Sequence, residues 1–319
     1  MILITGGGGL LGLNLARDLV DKGEKVLILS WFHERYKTEV PRFLTPFWGK
    51  EVKEVEGDVL EWPSISGLIG KYPIDSVVHA AGIWPERPGT TSLYHVVSVD
   101  VVGTLNILEM ARIFGLRRVT FISSINVYFG LDDGVEGRED TNLPAIYPDA
   151  IGATKKAAEQ ICGLYTSMYE MSVPIMRVAR IYGPTAHWRR NPMERMVVSA
   201  VEGIPADCLD TYEGSYLCPI HAKDCAKGIS LIHLANELKY NIYNLADGNY
   251  ITYGKVANLV KEIIPDANIR LGINKQLDKS YPFHPVNIDR IKAEGWTPEY
   301  ADLKKGIKAY IDYIKHGKY

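Results

Sequence analysis

A doubly wound parallel α/β sheet with a smaller C-terminal lobe is the fold class this sequence predicts, on three observations. Short apolar, β-branched runs alternate with amphipathic stretches through the first 180 residues, the rhythm of βαβ units. Glycine is over-used, at 29 residues in 319 where ~7% usage would give about 22, and five of them fall in the first twelve positions. The length also exceeds the ~250 to 300 residues at which a single core stops growing, so a core domain needs an annex.

Taken in order, Ile2–Thr5, Val26–Leu29, Val52–Val55, Ser76–Ala80, Val119–Ser123 and Pro174–Ala179 read as strands. Their near-continuous apolar runs suit a sheet covered on both faces. Leu10–Val20, Val96–Phe114 and Ala150–Tyr169 carry apolar residues at three- and four-residue spacing and read as helices. After Tyr182-Gly183-Pro184 the pattern loosens. It predicts a helix over Pro192–Glu202, strands near Tyr216–Ile220 and Ile242–Ala246, and helices near Tyr253–Ile264 and Leu303–Ile314, separated by Gly, Pro and Asn. The expected division is residues 1–180 plus 217–247 for the sheet domain, and 181–216 plus 248–319 for a substrate-binding lobe. Loops around 183–216 then line a cleft.

With 36 Lys+Arg against 38 Asp+Glu the formal charge is −2. That denies nucleic acid and membrane surfaces the basic excess they attract. No apolar run of about 18 residues is present to span a bilayer. Met1 leads directly into Ile2-Leu3-Ile4 without a basic segment or cleavage-like site, so a cytoplasmic protein is expected. Cys162, Cys208, Cys218 and Cys225 form no C-x-x-C pair, so no metal site is expected.

Thr5-Gly6-Gly7-Gly8-Gly9-Leu10-Leu11-Gly12 follows a strand and opens a helix. Gly6, Gly9 and Gly12 have the spacing that lets a chain turn sharply, admit a pyrophosphate without a Cβ in the way, and pack helix on strand. The N–H groups of Leu10, Leu11 and Gly12 at the helix start then favour phosphate. A Rossmann-type dinucleotide site is the reading. An Asp or Glu at the end of the second strand would take the adenosine ribose hydroxyls and mark NAD. Here that strand ends in Ser30 and Trp31, with His33 and Arg35 following. The missing acid leaves room for a 2′-phosphate, so the expectation leans to NADP over NAD. A merely solvated loop is the alternative for His33 and Arg35.

These residues resemble the extended short-chain dehydrogenase/reductase superfamily, of the NAD-dependent epimerase/dehydratase type. Gly57-Asp58-Val59 is similar to its adenine-contacting segment, and Val78-His79-Ala80-Ala81-Gly82 to its strand-end along the cofactor. Val99-Asp100-Val101-Val102-Gly103-Thr104 resembles its N-V-x-G-T helix, and Ile122-Ser123-Ser124-Ile125-Asn126-Val127-Tyr128 its S-S-x-x-V-Y strand-end. Arg177, Tyr182-Gly183-Pro184, His221-Ala222-Lys223-Asp224 and Gly295-Trp296-Thr297-Pro298 follow in the family's order. The resemblance assigns Asp58, Val59, Ala80, Ala81, Gly82 and Lys155 to the cofactor and treats His79 as structural. It also implies a homodimer formed through the helices over Val96–Phe114 and Ala150–Tyr169.

The family's chemistry rests on Tyr-x-x-x-Lys with a Ser or Thr, the spacing of four aligning phenol and ammonium on one helix face. Lys155 matches, but the tyrosine position is Ile151. An isoleucine transfers no proton. Ser124 and Lys155 are therefore expected to act with Tyr147 as substitute donor. Asp100, Tyr128, Asp149 and His187 are further candidates; chemistry without a phenol, and loss of catalysis, are the other readings. The diphosphate-holding Arg of nucleotide-sugar members is also replaced, by Leu217, and the second such Arg has no counterpart in residues 281–287. Two phosphates without cations are costly to bury. The expected substrate is thus a small molecule other than a nucleotide sugar, met by Trp84, Asn126, Tyr128, Arg180 and His187. Phe129, Trp188 and Tyr216 are candidate pocket walls. The predicted activity is an NAD(P)-dependent oxidoreductase, epimerase or dehydratase on a hydroxyl or carbonyl; a catalytically silent dinucleotide-binding protein is the alternative.

Overall fold

The computed structural model describes residues 1–319 except 32–39, 84–91, 133, 186–190 and 279–282. The chain opens with β1 (Ile2–Thr5), α1 (Leu10–Asp21), β2 (Val26–Ser30), β3 (Val52–Glu56), α2 (Trp62–Lys71) and β4 (Ser76–His79). It continues through α3 (Leu93–Val97), α4 (Gly103–Phe114), β5 (Arg118–Ser124), α5 (Ala150–Tyr169), β6 (Ile175–Val178) and β7 (Arg180–Tyr182). Then come α6 (Pro192–Glu202), β8 (Ala206–Tyr212), β9 (Tyr216–Leu217), β10 (Pro219–His221), α7 (Ala222–Leu234) and β11 (Ile242–Leu245). The end of the chain holds β12 (Ile251–Thr252), α8 (Tyr253–Ile263), β13 (Ile269–Gly272), α9 (Asp289–Ala293) and α10 (Leu303–His316).

Seven parallel strands form the central sheet in the order β11-β6-β5-β4-β1-β2-β3. The chain winds outward from β1 through β2 and β3, then crosses back to β4 on the other side of β1. That reversal opens a crevice at the carboxyl ends of β1 and β4, where ligands of such sheets bind. Side chains alternate faces along each strand. Ile4, Ile28 and Val78 pack toward α1, α7 and the C-terminal elements, while Leu3, Leu27 and Val77 pack toward α2, α4 and α5. Both faces are covered, which is why the strands read as continuous apolar runs.

Three local features bear on the site. The helix expected over Val96–Phe114 contains a π-helical turn at Ser98–Val102, centred on the buried Asp100; such turns widen a helix to serve a side chain. The strand expected over Tyr216–Ile220 divides at Cys218, β9 pairing antiparallel with β12 and β10 parallel with β7. Pro148 lies outside α5: the N-cap is Asp149, whose side chain accepts from Gly152 N. Helices α2 and α7 escaped the sequence reading because Gly67, Gly70 and Gly228 interrupt their periodicity. Among the described residues no helix is long and apolar enough to cross a membrane.

Candidate active site

The glycine loop is held in place by contacts that admit no Cβ. A Cβ on Gly6, whose φ is +66°, would lie 2.8 Å from the backbone of Ala81, and one on Gly12 would lie 2.4 Å from Gly7 Cα. Thus β1, the loop and α1 close on each other and on the β4 strand-end. Gly9 is the N-cap of α1 and, having no side chain, makes no side-chain cap bond there. Its first N–H groups, from Leu10, Leu11 and Gly12, suit a pyrophosphate.

At the adenosine end Ser30 is buried, and the exposed Trp31 has its ring 6.1 Å from that of His95. Arg35, with His33, lies outside the described residues. Asp58 Oδ1 accepts from Leu60 N at 2.9 Å, and Val59 is held by Asn106, whose Nδ2 donates to its carbonyl at 2.9 Å. Ala80 and Gly82 continue along the crevice into a cavity of about 370 Å³.

That cavity brings together Ser124, Asn126, Ile151, Lys155 and Arg180 with residues the sequence reading had not assigned, chiefly Glu194 and Phe283. Lys155 is buried, with Nζ 5.0 Å from the Phe121 ring centroid. A Cβ on Gly82 would lie 3.3 Å from Lys155 Nζ and 3.1 Å from Asp100 Oδ1, so a side chain there would press on both groups. Asp100 accepts from Ile83 N at 3.0 Å and from Thr154 Oγ1 at 2.7 Å. Thr154 is adjacent to Lys155 in sequence, so one turn of α5 supplies both the ammonium and the hydroxyl that holds the carboxylate. His79 is fully buried between Thr5 Oγ1, at 2.7 Å, and Thr104 Oγ1, at 3.1 Å; burial and the Lys155 charge depress its pKa to about 3. It is a neutral strut.

Two expected tyrosines are elsewhere. Tyr147 is absent from the cavity lining: its hydroxyl donates to Val127 O at 3.1 Å, and burial pushes its pKa to about 12. The nearest acceptor for its proton is a backbone carbonyl rather than anything in the cleft. Tyr128 is fully buried and is also no part of the lining. Its hydroxyl donates to Asn244 Oδ1 at 2.7 Å and accepts from Arg177 Nη1 at 2.9 Å. Arg177 also pairs with Glu159 at 2.7 Å, both side chains buried, so Tyr128 belongs to a network joining β6 to α5. Asp149 caps α5.

On the substrate side Arg180 lies with its guanidinium 5.4 Å from the Phe283 ring centroid, and Glu194 comes from the first turn of α6. Glu194 carries no local signal distinguishing it from a solvated helix charge; its burial arises only when α6 packs across the cleft. Phe129 is buried edge-on against Phe283 at 5.2 Å, and Tyr216 stacks on Tyr250 at 4.3 Å; neither lines the cavity. Leu217, where a diphosphate-binding Arg was sought, is fully buried. Trp84, His187 and Trp188 lie outside the described residues.

The model of the NAD dependent epimerase/dehydratase family matches residues 2–246. The chain belongs to that family. Among similar curated proteins, a putative UDP-glucose 4-epimerase of Methanocaldococcus jannaschii is 23% identical over 99% of both chains. A UDP-glucuronate 4-epimerase of Thermodesulfobacterium geofontis is 24% identical, over 98% of this chain and 95% of its own. Among solved structures, a Thermus thermophilus UDP-glucose 4-epimerase in complex with NAD superposes with a TM-score of 0.83 at 20% identity, covering 99% of each chain. A Bacillus anthracis dTDP-glucose 4,6-dehydratase with NAD gives 0.84 at 18% identity, over 99% of this chain and 97% of that one. At such identities the structural likeness establishes the fold. For this epimerase/dehydratase family member, the chemistry must be argued from its own cavity.

Proposed function

We propose that this protein is an NAD-dependent enzyme that works at a hydroxyl or carbonyl of a small molecule carrying no nucleoside diphosphate. The observation that carries the reading is that one cavity is lined both by Ala80 and Gly82, at the edge of the dinucleotide crevice, and by Ser124 and Lys155. When bound, the nicotinamide group supplies hydride transfer. The chain's own residues do the rest. The glycine loop holds the pyrophosphate, Lys155 takes the nicotinamide ribose hydroxyls, and Ser124 hydrogen-bonds the reacting oxygen while Ile151, Ile122 and Phe283 exclude water. Arg180 offers a cation to a polarised oxygen or carboxylate. Ile151 gives no proton, and the orientation of Tyr147 argues against it as substitute.

NAD is preferred to NADP on two grounds. The similar solved proteins above contain NAD, and the Glu54 carboxyl of β3 lies beside the Ser30 hydroxyl, where it opposes a 2′-phosphate. Buried Leu217 supports a substrate without the diphosphate. The relatives' names favour the opposite, a UDP-sugar substrate, and Ile151 favours a silent nucleotide-binding protein. Calorimetric titration with NAD and NADP, followed by turnover on hydroxyl and carbonyl panels that include UDP-glucose and UDP-glucuronate, separates these readings. NAD affinity with turnover of a non-nucleotide substrate is expected. Turnover of a UDP-sugar overturns the substrate assignment, binding without any turnover selects the silent protein, and absence of NAD binding removes the reading.

A homodimer is also proposed. Val102 and Leu105 at α4, and Leu164 and Met168 on α5, are exposed apolar side chains, between 40% and 65% accessible, and burying them would gain stability. Sedimentation analysis of the wild type beside Leu164→Glu is expected to show a dimer that the variant loses.

A further inference from the structure

Ser124 has one proton and two lone pairs, and all but one of these capacities are already engaged. Its Oγ accepts from Asn126 N at 3.2 Å, and its O–H donates to Asn126 Oδ1 at 3.0 Å. The Asn126 amide is not free to turn. Its Nδ2 donates to Asp149 Oδ1 at 3.3 Å. A carboxylate only accepts, so the amide must present its NH2 to Asp149 and its carbonyl to Ser124. Asp149 is anchored in turn, because the same Oδ1 accepts from Gly152 N at 3.0 Å as the N-cap of α5. A carboxylate outside the cavity therefore dictates, through one amide, which way a hydroxyl inside it points.

We infer that Asp149 is a positioning residue that, through Asn126, holds Ser124 as a hydrogen-bond acceptor toward the cavity, so that the group meeting Ser124 is a hydroxyl rather than a carbonyl. This rests on the proposed role of Ser124 at the reacting oxygen and deepens it: the substrate class is an alcohol, received in its reduced form. A carbonyl oxygen needs a donor. Ser124 can become one only by releasing Asn126 Oδ1, and Ile151 has no proton to offer in its place. The site thus favours the alcohol of an alcohol/ketone pair by about one hydrogen bond, a preference of about twofold to tenfold in affinity.

Asp149→Gly separates positioning from folding, since Gly at a helix N-cap costs only a few tenths of a kcal/mol and leaves no side-chain oxygen to accept from Asn126. The first measurement needs no cofactor: the Asn126 side-chain amide resonances, assigned by their loss in Asn126→Leu. In the wild type the two amide protons are expected well separated, one being bonded to the carboxylate, and in Asp149→Gly the separation collapses while the helix signals of α5 persist. The second uses cyclohexanol and cyclohexanone as probes on NAD-loaded protein, followed through the Ser124 backbone amide. The alcohol is expected to bind about twofold to tenfold more tightly in the wild type and about equally in Asp149→Gly. An unchanged Asn126 amide signature in Asp149→Gly, or a wild-type preference for the ketone, overturns the inference. If NAD fails to bind, the proposed function falls, while the amide measurement still decides the positioning.

Discussion

The two sides of the cleft are built on different principles. The cofactor side, from Gly6 to Gly12 and Ala80 to Gly82, is made largely of backbone: at Gly6, Gly7 and Gly12 close approach of other atoms excludes a side chain. The opposite side, from Ser124 to Lys155, is made of side-chain orientation, set by hydrogen bonds such as those of Ser124 with Asn126 and of Asn126 with Asp149. Backbone sites tolerate no substitution but need only the right local sequence. Orientation sites depend instead on which hydrogen-bond partners the packed chain offers.

The largest expected effect tests whether the orientation side lacks only a phenol. Ile151→Tyr restores the spacing of four before Lys155, and general acid–base catalysis is worth about 10²- to 10⁴-fold. Turnover of the substrate found in the panel is expected to rise steeply toward the lower end of that range. An unchanged rate means that native chemistry proceeds without a phenol at this point. Next in size is the buried pair behind the cleft. Glu159→Gln leaves the Arg177 guanidinium uncompensated, and breaking such a pair costs about 3 to 5 kcal/mol. Denaturant unfolding is expected to show that loss, with the backbone-built cofactor side recovering NAD affinity wherever the protein is folded.

A smaller effect concerns the turn after β11. Burial raises the Asp247 carboxyl to about 7, and its Oδ2 is buried without a hydrogen-bond partner among the described residues. Its folded pKa exceeds the unfolded value, so its contribution is favourable below about 4 and is lost as pH rises toward about 7. Asp247→Asn should therefore unfold a few degrees above wild type at pH 8, roughly 2 to 4 °C for each kcal/mol, with the difference vanishing near pH 4. A difference that persists at pH 4 points to packing instead. The smallest effect is at Tyr147→Phe. With its hydroxyl on Val127 O, its removal should leave kcat unchanged and cost about 0.5 to 1.5 kcal/mol of stability. A fall in kcat of tenfold or more would return Tyr147 to the mechanism.

Much of this was legible in the sequence. The limits of Ile2–Thr5, Ala150–Tyr169 and Pro192–Glu202 coincide with the elements formed, because continuous apolar runs and clean helical spacing are local signals. Ser124, Asn126, Lys155 and Arg180 were each assigned and share one cavity. Tyr128 and Tyr147 lie off the cavity lining for one reason. Sequence places a tyrosine near a site, but its hydroxyl goes to whichever acceptor the packed chain offers, here Asn244 across 116 residues and Val127 across 20.

By itself, then, the sequence determined the alternation that makes a parallel sheet, the glycine loop that approaches β4, and an isoleucine, Ile151, one turn before Lys155. These are relations among residues a few positions apart, carried by backbone geometry and periodicity. Only the tertiary structure decided that Asn126 bonds both Ser124 and Asp149, that Thr154 holds Asp100, and that Glu194 is buried beside the cavity. Hydrogen-bond direction is settled by the nearest competing partner, and such partners come from segments that are distant along the chain until the sheet brings them together.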